Sequence, residues 1–149
     1  MRIADMMKRD PEYVLVHETC RGAARKMRDD NVGFLPVCDR DRRVIGTITD
    51  RDLAVRLVAG GLHFDLPVSD VMSHEVVAGY PDDDVARAAQ VMDASHKGRL
   101  VIIDGDGRLV GIVSRSDVGH GDVARADGTR AAEPVARPPE RGAVPHRHA

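Results

Sequence analysis

Two stretches of the chain hold hydroxyl, guanidinium and carboxylate groups at matching spacing. They are Gly46-Thr47-Ile48-Thr49-Asp50-Arg51-Asp52 and Gly111-Ile112-Val113-Ser114-Arg115-Ser116-Asp117. In each, an apolar run of strand length ends on a hydroxyl residue, a helix is expected to begin, and an Asp follows three places later. The exposed N–H groups at a helix start attract an anion. The hydroxyl of Thr49 or Ser114 can donate to a phosphate oxygen, and Arg51 or Arg115 adds charge and a fork of donors. The carboxylate of Asp52 or Asp117 can accept from both hydroxyls of a ribose. The chemistry is recognition of a nucleotide. The same residues also make a helix cap, with Thr49 or Ser114 as N-cap and the Asp three places on closing a capping box. One motif alone favours the cap; its appearance twice strengthens the binding reading.

The elements that position these motifs are themselves doubled. Sliding the sequence over itself by 65 positions, with no gap, sets Asp5 on Asp70, Met7 on Met72, Ala23-Ala24 on Ala88-Ala89, Met27 on Met92, Gly33 on Gly98 and Leu35 on Leu100. Asp39 falls on Asp104, Gly46 on Gly111 and Asp52 on Asp117. A gapless register implies one supersecondary unit used twice, since neither copy buries its apolar face alone. Each half reads as strand, helix, strand, strand, helix. In the first half the strands are 13–16, 34–38 and 44–49, and the helices run from about 18 to 30 and from 50 to 59, stopped by Gly60-Gly61. The second half gives strands at 76–79, 99–103 and 109–113 and a helix from 81 to about 95. The fold class expected is therefore α/β (α+β), two tandem βαββα repeats packed about a pseudo-twofold axis. The repeats span residues 1–62 and 63–120. After Asp117 the copies diverge into Val118-Gly119-His120-Gly121, and 121–149, rich in Pro, Gly, Ala and Arg, is expected to be a disordered tail.

Composition narrows the function classes. The chain has 149 residues, 42% hydrophobic, with no Trp and a formal charge of −2. That near balance gives no electrostatic reason to expect nucleic acid or an anionic membrane as partner. No apolar run reaches the roughly 18 residues of a membrane span, and the first ten residues lack the apolar stretch of a signal peptide. Cys20 and Cys38 provide no disulfide framework and are expected to be small buried hydrophobes, so a cytoplasmic location is expected.

Several signals fall short of chemistry. His17-Glu18 lacks the second His of a zinc-protease string, Arg21 standing in its place. Asp104-Gly105-Asp106-Gly107 has Arg115 where a calcium loop needs its last Glu and reads as a hairpin turn. Asp82-Asp83-Asp84 reads as a helix start. His17, His63, His74, His96 and His120 read as surface residues, and His146-Arg147-His148 lacks a third metal ligand. No nucleophile set can be argued, so no enzyme is expected.

Leu35-Pro36-Val37, Asp39 and Gly46-x-x-Thr49-x-Arg51-Asp52, doubled over Gly98 to Asp117 and preceded by the paired Asp-x-Met of Asp5 to Met7 and Asp70 to Met72, resemble the CBS domain. The resemblance covers about Ile3 to Val118. It implies a stand-alone tandem pair, a Bateman module, with two clefts between the repeats for AMP, ADP, ATP or S-adenosylmethionine, and a homodimer. In the second cleft it implies Ser114, Arg115, Ser116 and Asp117 on phosphate and ribose, Arg99 on phosphate, and Glu12, Tyr13, Val32, Gly33 and Phe34 along the base. In the first it implies Thr49, Arg51 and Asp52, with the base against Val77, Ala78, Lys97 and Gly98. Phe34 stands where Arg99 does, and Leu100-Val101-Ile102 replaces Leu-Pro-Val, so the two clefts are expected to be unequal. The expected function is regulatory sensing of an adenine nucleotide or related adenosyl ligand, with no catalysis, no required cofactor, no metal and an unnamed regulated protein as partner. The alternative is a ligand-independent dimeric scaffold or stress-response interaction protein in which the motifs only cap helices.

Overall fold

Thr19 and Asp84, 65 positions apart, start the two long helices. Thr19 Oγ1 accepts the Gly22 N–H at 3.0 Å, and Asp84 Oδ1 accepts the Ala86 N–H at 2.9 Å. Helix α1 then runs Cys20–Asp30 and α3 Val85–Ser95. Both end on a residue in the left-handed region, Asn31 (φ 54°) and His96 (φ 55°), whose N–H turns back to the helix's last carbonyls. The computed structural model describes residues 1–118, so the expected tail and the divergence after Val118 lie outside the described residues.

The strands are β1 (Lys8–Arg9), β2 (Val14–Leu15), β3 (Phe34–Cys38), β4 (Val44–Thr49), β5 (Ala78–Gly79), β6 (Arg99–Ile103) and β7 (Leu109–Ser114). Helix α2 is α-helical over Asp50–Asp52 and continues as a π-helix over Leu53–Val58; α4 covers Arg115–Val118. Single 3₁₀ turns lie at Ile3–Asp5 and Val68–Asp70. The mixed α/β class is as expected, and β3, β4 and β6 keep the bounds read from the sequence. The π winding is a departure: the Ala59 N–H reaches the Ala54 carbonyl, five residues back, at 3.0 Å. Apolar spacing marks a buried face and does not encode that extra residue per turn.

Two compact units result, and their composition is not that of the sequence repeats. One holds Glu12–Val76, with the sheet β2-β3-β4. The other joins residues 1–11 to residues 77–118, with the sheet β1-β7-β6-β5. Each repeat's leading segment therefore folds into the unit of the other repeat. Main-chain hydrogen bonds that dock it recur at equivalent positions of the two copies. Ile3 N–H donates to the Asp83 carbonyl and Ala4 N–H to that of Pro81; Val68 donates to Glu18 and Ser69 to Val16. In return the first helical N–H of α3, Val85, donates to Met1, and that of α1, Cys20, donates to Leu66. The charged pair Lys8–Arg9, which shows no strand pattern in the sequence, becomes β1 because it pairs antiparallel with β7. Its counterpart is the two-way bond between Thr47 and Ser73, at 2.9 and 2.8 Å.

This docking explains the paired glycines. A Cβ on Gly46 would lie 2.7 Å from Met72 Sδ and 2.8 Å from the Ser73 carbonyl oxygen; on Gly111 it would lie 2.7 Å from Met7 Sδ and 3.0 Å from the Lys8 carbonyl. Ile3 and Met7 join Met92, Leu100 and Val113 in one core, while Val68 and Met72 join Met27, Leu35 and Ile48 in the other. Both hairpins turn on an Asp whose Oδ1 accepts two N–H groups, Asp39 from Asp41 and Arg43, Asp104 from Asp106 and Arg108. That is the hairpin reading of 104–107. In the triple Asp, Asp83 accepts the Tyr80 N–H and Asp84 caps α3, as expected of a helix start.

Two outcomes follow. Gly46→Ala and Gly111→Ala should each lower stability by about 1–3 kcal/mol in urea denaturation, with Gly46→Ala the worse because the rigid backbone oxygen of Ser73 stands closer, at 2.8 Å against 3.0 Å for that of Lys8. Cys20 and Cys38 are both buried, and loss of water pushes their pKa values up to about 11 and about 12, helped by Asp70 and Asp39 respectively. The folded thiols hold their protons to higher pH than the unfolded ones. Their contribution is therefore complete below about pH 8.5 and is lost as pH rises toward the folded values. The urea midpoint should fall between about pH 8 and pH 10, and fall less in a Cys20→Ala/Cys38→Ala chain.

Candidate functional site

Each unit carries one hydroxyl–Asp motif, where β4 or β7 hands over to a helix. Backbone pairing decides what flanks it. In the Glu12–Val76 unit the register of β3 and β4 sets Phe34 opposite Thr49; in the other, β6 and β7 set Arg99 opposite Ser114. The residue before each is also tied in, the Gly33 carbonyl accepting from Asp50 N–H at 3.0 Å and that of Gly98 from Arg115 N–H at 2.9 Å.

In the first motif the capping box is complete. Thr49 Oγ1 accepts the Asp52 N–H at 3.0 Å, and Asp52 Oδ2 accepts the Thr49 N–H at 2.9 Å. Asp50 Oδ1 takes the Arg51 N–H at 2.8 Å. The N–H groups of residues 50, 51 and 52 thus all have acceptors, so the anion attraction expected of this helix start is already used internally. Thr49 keeps its O–H free to donate, and the exposed Arg51 side chain has no ion-pair partner among the described residues. Asp52 is only 16% exposed, and its Oδ1 faces Arg56 Nε at 3.8 Å. Arg56 also donates from Nη1 to the carbonyls of Val71 and Met72, each at 3.1 Å. It ties the motif's carboxylate to the segment that packs on Gly46.

The second motif is looser. Ser114 N–H donates to Asp117 Oδ2 at 2.9 Å, while Asp117 N–H reaches Ser114 Oγ at 3.2 Å. Ser114 and Ser116 share a hydroxyl hydrogen bond of 2.9 Å. Asp117, Ser116 and Arg115 are all exposed, and Asp117 Oδ1 has no partner among the described residues. Arg99 is exposed and, among the described residues, donates only to the neighbouring Gly98 carbonyl, at 3.1 Å. Arg115 Nη1 donates to Asp93 Oδ1 on α3.

The other candidate residues are placed as follows. Glu12 is exposed, 4.0 Å from Lys26 Nζ, which donates to the Tyr13 carbonyl; Tyr13 is half-buried. Val32 and Gly33 follow the Asn31 cap, and a Cβ on Gly33 would sit 2.7 Å from Asp50 Oδ2. Val77 and the buried Ala78 enter β5 beside β6. Lys97 and Gly98 are exposed, and Gly98 has open space where a Cβ would be. Arg56 and Asp93 escaped the sequence reading. The first is visible as an i,i+4 partner of Asp52; the second is 22 residues from Arg115, and no local spacing reveals it.

No group of three or more His, Cys, Asp or Glu among the described residues could hold a metal ion, and no described helix is long and apolar enough to cross a membrane. Comparison with known proteins agrees with the doubling. The family described as CBS domain matches residues 3–59 and 68–119. The chain is 38% identical over 116 residues to CBS domain-containing protein YhcV of Bacillus subtilis, covering 78% of this chain and 81% of that protein. It resembles the crystal structure of Hypoxic Response Protein I with two coordinated zinc ions (29% identity, 80% and 97% of the chains covered, TM-score 0.73). It also resembles a CBS domain protein of Pyrobaculum aerophilum complexed with AMP (26% identity, 85% and 100% covered, TM-score 0.76).

The tight first motif gives a stability test. Thr49→Ala should cost about 1 kcal/mol, as loss of a helix cap does, and Thr49→Ser should restore most of it in the same urea titration.

Proposed function

The chain belongs to the CBS domain family, matched over both repeats, and on that premise we propose that it is a regulatory sensor of an adenine nucleotide or related adenosyl ligand, without chemistry of its own. The observation that carries this is the exposed second motif: two hydroxyls joined to each other, a carboxylate with one oxygen unpartnered among the described residues, and Arg99 across the register. Those groups match a ribose diol and a phosphate. The AMP complex of the Pyrobaculum aerophilum relative supports the ligand class. Ser114, Arg115, Ser116, Asp117 and Arg99 form the stronger set; Thr49, Arg51 and Asp52 form the weaker one, its carboxylate engaged with Arg56. Binding would shift the chain between conformations by its differential affinity, and a cytoplasmic partner protein would respond to that shift.

A second reading has its own observation. Val55, Val58 and Leu62 are 51%, 74% and 36% exposed along and just beyond the π-helical stretch. With both motifs forming capping boxes, the chain could instead act as a ligand-independent dimeric scaffold through that apolar face.

Titration calorimetry with AMP, ATP and S-adenosylmethionine separates the two. The sensor reading expects at least one to bind below the millimolar range and Asp117→Ala to weaken it about tenfold or more, as loss of a charged hydrogen-bond acceptor does. No binding by any of the three, with a stable dimer and an unchanged melting temperature, selects the scaffold.

A further inference from the structure

The two motifs differ most in the sign of one ion-pairing position. Arg115 occupies the place that Asp50 holds in the first repeat, and Asp93 the place of Arg28. The pair is thus inverted between the copies, carboxylate on the long helix and guanidinium on the motif in the second, the reverse in the first. The inverted pair closes only in the second. There Arg115 Nη1 donates to Asp93 Oδ1, both side chains about half exposed (47% and 50%). In the first, Arg28 turns to its neighbour Asp29 at 2.9 Å, and Asp50 is occupied by the Arg51 N–H. The guanidinium that the second motif itself carries is therefore already held by an anion of the chain.

We propose that Asp93 is a selectivity residue, an internal competitor that a ligand's phosphate must displace from Arg115. This rests on the sensor reading and deepens it. A carboxylate at that position offsets the attraction Arg115 offers to any phosphate and adds a repulsion that grows with ligand charge. It leaves untouched the ribose contacts of Asp117 and Ser116. Asp93 therefore biases the site toward adenosyl ligands of low negative charge. An exposed pair is a weak competitor, which keeps the site responsive to its ligand.

The experiment compares adenosine, AMP and ATP on the full chain, wild type against Asp93→Asn, by calorimetry at low salt. Freeing Arg115 should tighten AMP about two- to fivefold, the range expected for release of an exposed ion pair. The gain for ATP should be larger, and adenosine should be unchanged. In an Arg115→Gln background, which itself weakens AMP, Asp93→Asn should give no comparable gain. AMP binding that is unchanged or weakened by Asp93→Asn, or an equal gain for adenosine, overturns the proposal while leaving the sensor reading intact. Absence of binding by every ligand to both chains overturns the sensor reading and this proposal with it.

Discussion

A glycine with no room for a methyl group governs each unit. At Gly46 and Gly111 a leading segment comes so close to β4 or β7 that a methionine sulfur and a main-chain carbonyl occupy the space of a side chain. That approach allows the strand pairing of Lys8 and Arg9 with β7 and of Ser73 with Thr47. It also brings Ile3 and Val68 into the cores, and it is on these same strands that Thr49 and Ser114 end. The position of the hydroxyl–Asp motifs thus depends on contacts made several residues earlier, at the glycines.

Much of this was legible in the sequence, and the reasons are local. The bounds of β3, β4 and β6 follow apolar runs closed by turn residues, and α1 and α3 follow an N-cap, an apolar stripe and a stop. The capping boxes follow from the hydroxyl–Asp spacing alone. What the sequence did not disclose depends on partners distant in the chain. Lys8–Arg9 has no strand pattern because its order comes from pairing with residues about a hundred positions away. The 65-residue repeat marks equivalence between copies, and it carries no signal that each copy gives its leading segment to the other. Arg51 and Arg115 read alike as motif charges, yet one is unpaired among the described residues and the other is held by Asp93.

The two motifs illustrate how one fold position can be built into its unit or left open at the surface. With Asp52 largely buried, bonded to Thr49 and faced by Arg56, the first is built into the unit. The second keeps the same two capping bonds, one of them longer, and leaves hydroxyls and a carboxylate at the surface. Capping and ligand binding are compatible here because a cap uses one oxygen of the carboxylate and the acceptor side of the hydroxyl. In the second motif the other carboxylate oxygen and one O–H of the linked serine pair stay open, as the proposed ligand would require.

The exchange of leading segments has a consequence for how such a chain could arise. A protein with one repeat would carry a lead with no sheet of its own to complete and a sheet with no lead. Two such molecules would have to trade segments to finish either unit, and their folding would depend on concentration. Joining the two copies in one chain makes that trade intramolecular, at an effective concentration set by the connection. Duplication here supplies a partner that a single repeat would otherwise have to find by diffusion.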